Sequence, residues 1–404
     1  MKSIVPGRFV IAGIAAVMAV TFCGADWRQF RGNDSNAISS ETSLPTSLSG
    51  ETIAWKVDLP GRGLSGPIVI GDRLFLTSSS GYSQDRLHTL CFDIKTGKQL
   101  WERQFWATGR TMCHSKMSVA TPTPASDGER IFSFYSSNDL TCVDLDGNLL
   151  WYRGLGSDFP NASNSLGMSS SPVVVGDTVI VQVESDAEAF AAGLDVKTGA
   201  QKWKIDRPRK ANWTSPAVLR GDGGHDLVLL QSSAGLSAVD PQTGDEIWSF
   251  DKGASTIPSS TPVGNTVYVP SNGLTVLKVS AEGVEVDWNV ARLSPSTPSA
   301  VVYDNKIFTV DRGGVLKCAA QKTGELKWQL RLKGPFSATP VAGAGMLFFF
   351  NEDGMAYIVK PDEDEGSILS ELNLGETILS TPAVADKAIF VRSDQHLWKI
   401  AENK

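Results

Sequence analysis

Two long segments of this 404-residue chain contain side chains that are suited to contacting a ligand or a partner. Residues 102–123 include basic groups that donate hydrogen bonds, and residues 152–171 include amides that both donate and accept them. Long connections on a rigid scaffold commonly carry function, and filling of a central channel is the alternative use of such loops. The candidate binding residues are Arg110, His114, Lys116, Asn161 and Asn164.

The other reactive residue types form no recognisable catalytic pattern. The four histidines are far apart, and the chain has no G-x-S-x-G elbow, no H-E-x-x-H zinc motif and no Ser, His and Asp spacing typical of a triad. The Asp-x-Asp-Gly stretch at 144–147 lacks the downstream glutamate of a calcium loop. The acidic run at 362–365 is typical of a solvated turn, with calcium binding as the alternative. We therefore predict no catalytic and no metal-binding residues.

Charge restricts the class of partner. The formal net charge is -7 at pH 7, and no basic tract interrupts the acidic balance. Nucleic acid and anionic lipid surfaces require clustered positive charge, so neither is an expected partner. Beyond the N-terminus, no apolar run is long enough for a membrane-spanning helix.

The first 25 residues have the pattern of a signal peptide. Basic residues precede an apolar stretch over residues 9–22, and the small residue Ala25 suits cleavage before Asp26. Lipid anchoring at Cys23 is disfavoured because the bulky Phe22 precedes it. The sequence therefore predicts an exported protein, either periplasmic or extracellular.

Four cysteines follow the predicted cleavage point. In an exported protein they could pair in any of three ways, and burial as small apolar side chains is the alternative. Their spacing contains no C-x-x-C and indicates neither a zinc site nor a redox dithiol. They are Cys91, Cys113, Cys142 and Cys318.

A repeated phrase organises the rest of the chain. An Asp, a Thr-Gly turn or its equivalent, and a Trp four residues after the Gly recur at intervals of about 40–50 residues. The clearest copy is DIKTGKQLW at 93–101, and PDEDEGSIL at 361–369 is a degraded one without the aromatic residue. The repeated tryptophans are Trp101, Trp151, Trp203, Trp248, Trp288 and Trp328.

A second phrase, Ser or Thr close to a Pro before an apolar strand, occurs eight times. It is followed by Gly-Asp or Gly-Asn turns and further β-runs, which together indicate four antiparallel strands in each repeat. The prolines, which we interpret as the first residue of each innermost strand, are Pro67, Pro124, Pro172, Pro216, Pro262, Pro298, Pro340 and Pro382. The expected fold is all-β: a single eight-bladed β-propeller of four-stranded antiparallel blades.

The ends of the chain decide the number of blades. The last strand, at 396–400, leaves the eighth blade without an outer strand, and residues 52–61 with Trp55 supply one from the N-terminal side. We therefore predict a ring closed by the N-terminal strand, with a signal peptide at 1–25, an extension at 26–51 and the propeller at 52–404. Seven blades is the alternative count.

The tryptophan phrase resembles the docking motif of the pyrroloquinoline-quinone (PQQ) repeat propellers. That superfamily includes quinoprotein alcohol and glucose dehydrogenases and the BamB-type lipoproteins of outer-membrane assembly. The opening DWRQFRGNDSN at 26–36 resembles the Trp-x-Gln-Phe-Arg-Gly start of secreted bacterial members. The resemblance implies that Trp55 and the six repeated tryptophans are structural residues that pack against the neighbouring blade.

The resemblance to the dehydrogenases also implies PQQ and calcium. In those enzymes a disulfide between adjacent cysteines covers the quinone, and this chain has no Cys-Cys pair. None of their acidic and amide ligand motifs matches a position here, so we expect no cofactor.

Together these features favour a binding protein over an enzyme. We expect an envelope or periplasmic module that binds or scaffolds a protein or an envelope polymer through its long-loop face. It would act as a monomer or as part of an envelope complex. A quinoprotein-like oxidoreductase, a PQQ-dependent dehydrogenase, is the alternative.

Overall fold

The computed structural model describes residues 26–162 and 166–402, apart from the side chain of Asp222. The predicted signal peptide lies outside the described residues. The described chain forms eight four-stranded antiparallel sheets, which are the blades of an eight-bladed β-propeller. The predicted fold class is confirmed.

Seven blades use four consecutive strands each. Blade 1 contains β2 (Ile68–Ile70), β3 (Arg73–Ser80), β4 (Arg86–Asp93) and β5 (Gln99–Trp106); blade 2 contains β6 (Ala125–Ser126), β7 (Arg130–Phe134), β8 (Asp139–Asp144) and β9 (Leu149–Gly154). Blade 3 contains β10 (Val173–Val175), β11 (Thr178–Val183), β12 (Phe190–Asp195) and β13 (Gln201–Asp206); blade 4 contains β14 (Ala217–Leu219), β15 (Leu227–Ser232), β16 (Gly235–Val239) and β17 (Glu246–Phe250). Blade 5 contains β18 (Thr261–Val263), β19 (Thr266–Val269), β20 (Leu274–Ser280) and β21 (Gly283–Val290). Blade 6 contains β22 (Val301–Tyr303), β23 (Lys306–Val310), β24 (Val315–Ala320) and β25 (Leu326–Arg331); blade 7 contains β26 (Val341–Gly343), β27 (Met346–Phe350), β28 (Met355–Pro361) and β29 (Gly366–Asn373).

Blade 8 joins the two ends of the chain. Its inner strands are β30 (Ala383–Ala385), β31 (Ala388–Arg392) and β32 (His396–Ala401), and its outer strand is β1 (Ile53–Asp58) from the N-terminal side. The register pairs Ile53 with Ile400 and Asp58 with His396. The predicted closure by the N-terminal strand is confirmed, and the seven-blade alternative is wrong.

Helical segments are few and short. The described residues include one α-helix, α1 (Leu155–Asp158), and three 3-10 turns at Gly50–Thr52, Asp222–Gly224 and Ala291–Leu293. No helix within residues 26–162 or 166–402 has the length and hydropathy that crossing a bilayer would require.

Tight turns give the blades their hairpins. Gly71, between β2 and β3, has φ 59°, and Asp304 and Asn305, between β22 and β23, have φ 50° and 58°. Left-handed conformations at such positions match the right-handed twist of the flanking strands, and Gly, Asn and Asp tolerate them best. The Gly-Asp and Asp-Asn pairs of the sequence therefore form the strand connections themselves.

Most of the repeated tryptophans fasten one blade to the next. The indole N–H of Trp101 in blade 1 donates to the carbonyl of Leu145 in blade 2 at 2.9 Å. A Cβ at Gly147 would stand 2.8 Å from the Trp101 ring, so the turn glycine allows the indole to lie directly on the backbone. The same indole-to-carbonyl bond joins Trp55 to Ile94, Trp151 to Val196, Trp203 to Pro241 and Trp328 to Asp362.

Two tryptophans depart from this pattern. The indole nitrogens of Trp248 and Trp288 are buried and have no hydrogen-bond partner in the described chain. Trp248 precedes blade 5, where the Thr-Gly turn is replaced by the looser turn between Ser280 and Gly283. The missing bond of Trp248 thus coincides with a looser turn in the next blade, whereas Trp288 lacks its bond although a Thr-Gly turn follows it at 323–324.

The cysteines are unpaired in the described chain. Cys91, Cys142 and Cys318 are buried on third strands, where each pairs across the sheet with a docking tryptophan. Cys113 is only partly buried, in the connector between blades 1 and 2. Of the two alternatives, burial as small side chains describes the first three.

Trp55→Ala tests the closure of the ring. Trp55 is half-buried, bonds to Ile94 of blade 1 and packs against Gly97. We expect the substitution to lower the free energy of unfolding by about 2–3 kcal/mol, less than truncation of a fully buried aromatic residue costs. Chemical denaturation measures the change.

Trp106→Ala is the matched control, because Trp106 ends the outer strand of blade 1 with 63% of its surface exposed. Equal losses of stability in the two variants would contradict the role of Trp55 in closing the ring.

Candidate functional site

A well lies on the axis of the propeller. It has a volume of about 710 Å³ and is lined by residues that precede the first strands of all eight blades. The volume lies within the range of small-ligand pockets, about 300–1,000 Å³. Its lining has three layers: a deep ring of hydroxyls, a mixed tier above it and a charged mouth.

The deep ring consists of hydroxyl side chains that link consecutive blades. The backbone N–H at each position donates to the hydroxyl of the next blade, over 2.8–3.1 Å, beginning at Gly66 in blade 1. Each hydroxyl residue is more than nine-tenths buried. The acceptors, in order from blade 2 to blade 8, are Thr123, Ser171, Ser215, Ser259, Ser299, Thr339 and Thr381.

The ring is interrupted at blade 1. Gly66 occupies the eighth position, where a Cβ would stand 2.6 Å from the carbonyl oxygen of Thr381. A side chain cannot enter that space without moving the backbone, so blade 1 contributes an N–H to the ring but no hydroxyl. The joint between blades 8 and 1 therefore lacks this bond.

The repeated Ser or Thr close to a Pro is the sequence signal for this ring. The position predicted for the proline, as the first residue of the strand, is wrong in most blades. Each ring residue stands two positions before the first strand of its blade, as Ser171 does before β10. In six blades the proline lies between the ring residue and the strand, so it precedes the strand and is not its first residue. In blades 5 and 6 the frame differs, because Pro262 lies inside β18 and Pro298 lies three residues before β22.

The upper tier alternates apolar and hydroxyl walls. It stands two residues before the ring in every blade, nearer the connector face, and all eight members line the well. Because blade n faces blade n+4 across the axis, Leu64 and Leu379 oppose Ile257 and Trp213. The hydroxyl walls, Thr121 and Ser169, oppose Thr297 and Ser337. The well is thus a slot with two apolar walls and two polar walls.

The N-terminal extension closes the far end of the well. It crosses the face formed by the turns between first and second strands, where Trp27 bridges to Val69 and Ile38 to Ala342. Phe30 lines the well, and the neighbouring Arg31 is 1% exposed. The Arg31 guanidinium donates to the hydroxyl of Thr261 at 2.9 Å and to the carbonyl of Ser260 at 2.7 Å, directly beyond the hydroxyl ring.

The mouth of the well carries the charged groups. Lys116, in the connector between blades 1 and 2, pairs with Glu352 of blade 7 at 2.6 Å. Glu352 also accepts a hydrogen bond from Ser337 at 2.8 Å. His114 and Arg312 line the same opening. The long connector therefore reaches over part of the mouth to blade 7.

The five predicted binding residues do not form one cluster. His114 and Lys116 line the well, whereas Arg110 and Asn161 are exposed on their connectors and do not line it. Asn164 lies outside the described residues. Sequence reasoning missed the residues on short links and turns, such as Trp213, Phe336 and Glu352, because nothing in their local pattern marks them as lining an axis.

A Ser, His and Glu cluster in blade 1 was also missed. His88 Nε2 lies 2.7 Å from the Ser80 hydroxyl, and His88 Nδ1 lies 2.6 Å from a Glu102 carboxylate oxygen. Hydrogen bonds to His88 and Gln104 hold the pKa of Glu102 below its ordinary value against the opposing effect of burial. Three adjacent strands bring together residues that are 8 and 14 positions apart, a spacing that no catalytic motif in the sequence marks. The cluster does not line the axial well.

A family profile described as outer membrane protein assembly factor BamB matches residues 103–289 and 275–369. The two matches run through most of the propeller. This chain belongs to the BamB family of PQQ-like propellers. The family resemblance inferred from the tryptophan phrase is confirmed.

Relatives of this BamB-family propeller include both assembly factors and dehydrogenases. A BamB of Alkalilimnicola ehrlichii is 26% identical over 226 residues, 52% of this chain and 49% of the relative, so the match spans about half of the relative's length. The crystal structure of BamB from Moraxella catarrhalis has a TM-score of 0.64 at 17% identity, over 87% of this chain and 97% of that one. A europium-containing methanol dehydrogenase has a TM-score of 0.71 at 14% identity, over 95% and 99%. These two structural likenesses show the fold alone.

The lining of the well does not fit the calcium-bound quinone of the dehydrogenases. Ca²⁺ takes about six to eight oxygen ligands, usually including several carboxylates. Glu352 is the one carboxylate among the lining residues, and it is already bonded to Lys116 and Ser337. Throughout the described part of this BamB-family chain, no three His, Cys, Asp or Glu side chains are grouped so that they could hold a metal ion.

Ser299→Ala tests the hydroxyl ring. The substitution leaves the backbone N–H of Ser259 without its acceptor in a buried site. An unsatisfied buried donor costs about 1–3 kcal/mol, and we expect a loss of stability of that size in chemical denaturation. Ser157→Ala, at an exposed position, is the control and should change little. A Ser299→Ala variant as stable as this control would show that the ring does not hold the blades together.

Proposed function

We propose that this protein is a binding module of the cell envelope that holds a protein or an envelope polymer through its long-connector face. The observation that carries the proposal is the one-sided well. The N-terminal extension covers one end, and the connectors of the other face surround the opening with exposed groups. We therefore expect a ligand to enter from the connector side.

The connector face also presents large exposed apolar side chains. Tyr82, Trp106 and Met112 are 107%, 63% and 65% exposed; they lie between β3 and β4, at the end of β5 and in the connector after β5. The guanidinium of Arg86 stacks on the Trp106 ring at 4.8 Å. Aromatic residues, Met and Arg are enriched in protein interfaces. This composition supports a partner protein on the connector face.

Family membership and the signal-peptide pattern support action in the envelope. The matching profile and the Alkalilimnicola and Moraxella relatives are named as factors of outer-membrane protein assembly or as BamB. By the same relationship, we propose that this chain is exported and works beside other envelope proteins. Its role there would be to hold a partner, because the well offers hydrogen bonds and apolar walls and no metal-binding set.

Substitutions at the rim test the choice of face. We expect Arg110→Ala, His114→Ala and Lys116→Ala each to reduce capture of envelope proteins by the immobilised protein in a quantitative pull-down. Their thermal stability should shift little, because exposed loop substitutions usually change it by less than about 0.5 kcal/mol.

Lys197→Ala and Lys322→Ala are the matched controls, since both lysines are exposed in Thr-Gly turns on the opposite face. If the two control variants lose capture while the rim variants retain it, the binding surface lies on the face opposite the connectors. That outcome would contradict the proposal.

The oxidoreductase alternative is tested directly. We expect the protein, after incubation with PQQ and Ca²⁺, to show no dye reduction with alcohols or aldose sugars above a protein-free control. The reason is that a quinoprotein needs a hard cation at the quinone and a nearby base, and Glu352 alone cannot supply the ligands. A quinoprotein dehydrogenase treated in the same way validates the assay. Substrate-dependent dye bleaching would replace the binding proposal with an enzymatic one.

A further inference from the structure

The deep hydroxyl ring has unused hydrogen-bond donors. Each of its seven hydroxyls accepts one backbone N–H, and none donates to an acceptor within the described residues. A hydroxyl has one hydrogen to give as well as lone pairs to accept. All seven residues line the well, and their hydroxyl hydrogens are the donors available to a bound group. The bottom of the well is therefore rich in donors.

Two buried guanidinium groups lie near this ring, and neither forms a salt bridge within the described residues, although the charge of Asp394 acts on Arg392. Arg31 donates only to Thr261 and Ser260 on the blade 5 side. Arg392, also buried, donates to the carbonyls of Ser393 and Thr77 and to a hydroxyl in blade 1. One nitrogen of each group, Nε of Arg31 and a terminal nitrogen of Arg392, has no partner in the described chain.

Both groups remain cationic at neutral pH. Burial lowers the pKa of Arg31 to about 9 and that of Arg392 to about 10, still above neutrality. A buried cation without a counter-ion is costly, and an anion placed nearby reduces that cost. Because Arg31 lies beside blade 5 and Arg392 beside blades 8 and 1, the two cations flank the well from opposite sides. Two buried cations thus lie beside the interior of a protein whose net charge is -7.

The apolar walls above the hydroxyl ring indicate which kind of body the ligand has beside its hydrogen-bond acceptor. Leu64 and Leu379 face Ile257 and Trp213 across the axis, and Phe336 extends the apolar surface. The indole N–H of Trp213 donates to the carbonyl of Gly167 at 2.9 Å, which fixes the orientation of the ring. A flat or aromatic body fits between two such walls and buries apolar surface on both faces.

We propose that the axial well binds a carboxylate group attached to an aromatic or other apolar body, with the carboxylate directed at the hydroxyl ring and the apolar part between the two walls. This inference rests on the proposed function, because it names the chemical group of a partner that enters from the connector face. Two sources have this chemistry: the C-terminal end of a polypeptide, which proteins commonly capture through arrays of donors, and a free aromatic acid. A neutral group of the same shape leaves the buried charges uncompensated.

The test compares an acid with its amide. The probes are N-acetyl-Gly-Gly-Phe with a free C-terminal carboxylate, the same peptide as a C-terminal amide, and phenylacetate. Isothermal titration calorimetry measures each with the full mature protein at pH 7. We expect the acid to bind and the amide to bind at least about tenfold more weakly, because hydrogen bonds to a charged group are lost. Binding and competition by phenylacetate would assign the site to free acids, and binding of the peptide alone would assign it to chain ends.

A blocking variant locates the binding in the well. Ile257 lines the well with 49% of its surface exposed, so Ile257→Trp fills the slot without disturbing the core. It should abolish binding of the acid peptide. Ile247→Trp is the matched control, because Ile247 is 55% exposed on the outer strand β17 of blade 4, and it should bind normally.

Three outcomes would overturn the inference: equal binding of acid and amide, binding that survives Ile257→Trp, or no binding of either peptide or of phenylacetate. The proposed function fails separately, through the rim variants in the pull-down. Loss of the carboxylate preference with rim-dependent capture intact would remove this inference alone.

Discussion

The structure depends on how eight blades satisfy their backbone groups where they meet on one axis. The N–H groups just before the first strands have no strand partner on that side, and burial without a partner is costly. Hydroxyl side chains two residues before the first strand of blades 2 to 8 satisfy these groups. Each hydroxyl accepts a hydrogen bond from the backbone N–H of the preceding blade. In seven of the eight blades, one residue thus joins the ring and also lines the well. The stability of the propeller and the chemistry of its cavity come from the same atoms.

The outer contacts are more tolerant than the inner ring. Tryptophan docking fastens most blades at a larger radius, yet Trp248 and Trp288 lack the indole hydrogen bond and the fold accommodates both. Blade 7 has Ile368 and Leu369 in the region where the aromatic residue would stand, and these are largely exposed. By contrast, the inner ring lacks a hydroxyl only at Gly66, where backbone crowding excludes a side chain. Repeat stability is roughly a sum of neighbouring interfaces, so single weak joints can be tolerated.

The sequence was sufficient for the fold and insufficient for the site. Turn residues, the tryptophan spacing and Trp55 before the first complete blade are local signals, and they predicted the eight blades and the closing strand. The site depends on residues that come together only around the axis, such as Trp213, Ile257 and Glu352 from three different blades. No local period marks them. The unusual length of their connector marks His114 and Lys116 as candidates. Phe30 belongs to the family-like opening of the chain, and no local pattern indicates its place in the well.

The N-terminal extension gives the cavity its direction and its charge. An open propeller channel would be accessible from both faces and would be filled with solvent from end to end. Here Phe30 ends the channel, and Arg31 places a cation in a position where the described chain supplies no carboxylate partner. A closed end limits how deeply a ligand can enter the well. The buried cation favours an electron-rich group of the ligand at that depth. The extension is therefore part of the binding site, because without it the hydroxyl ring would border a channel open at both ends.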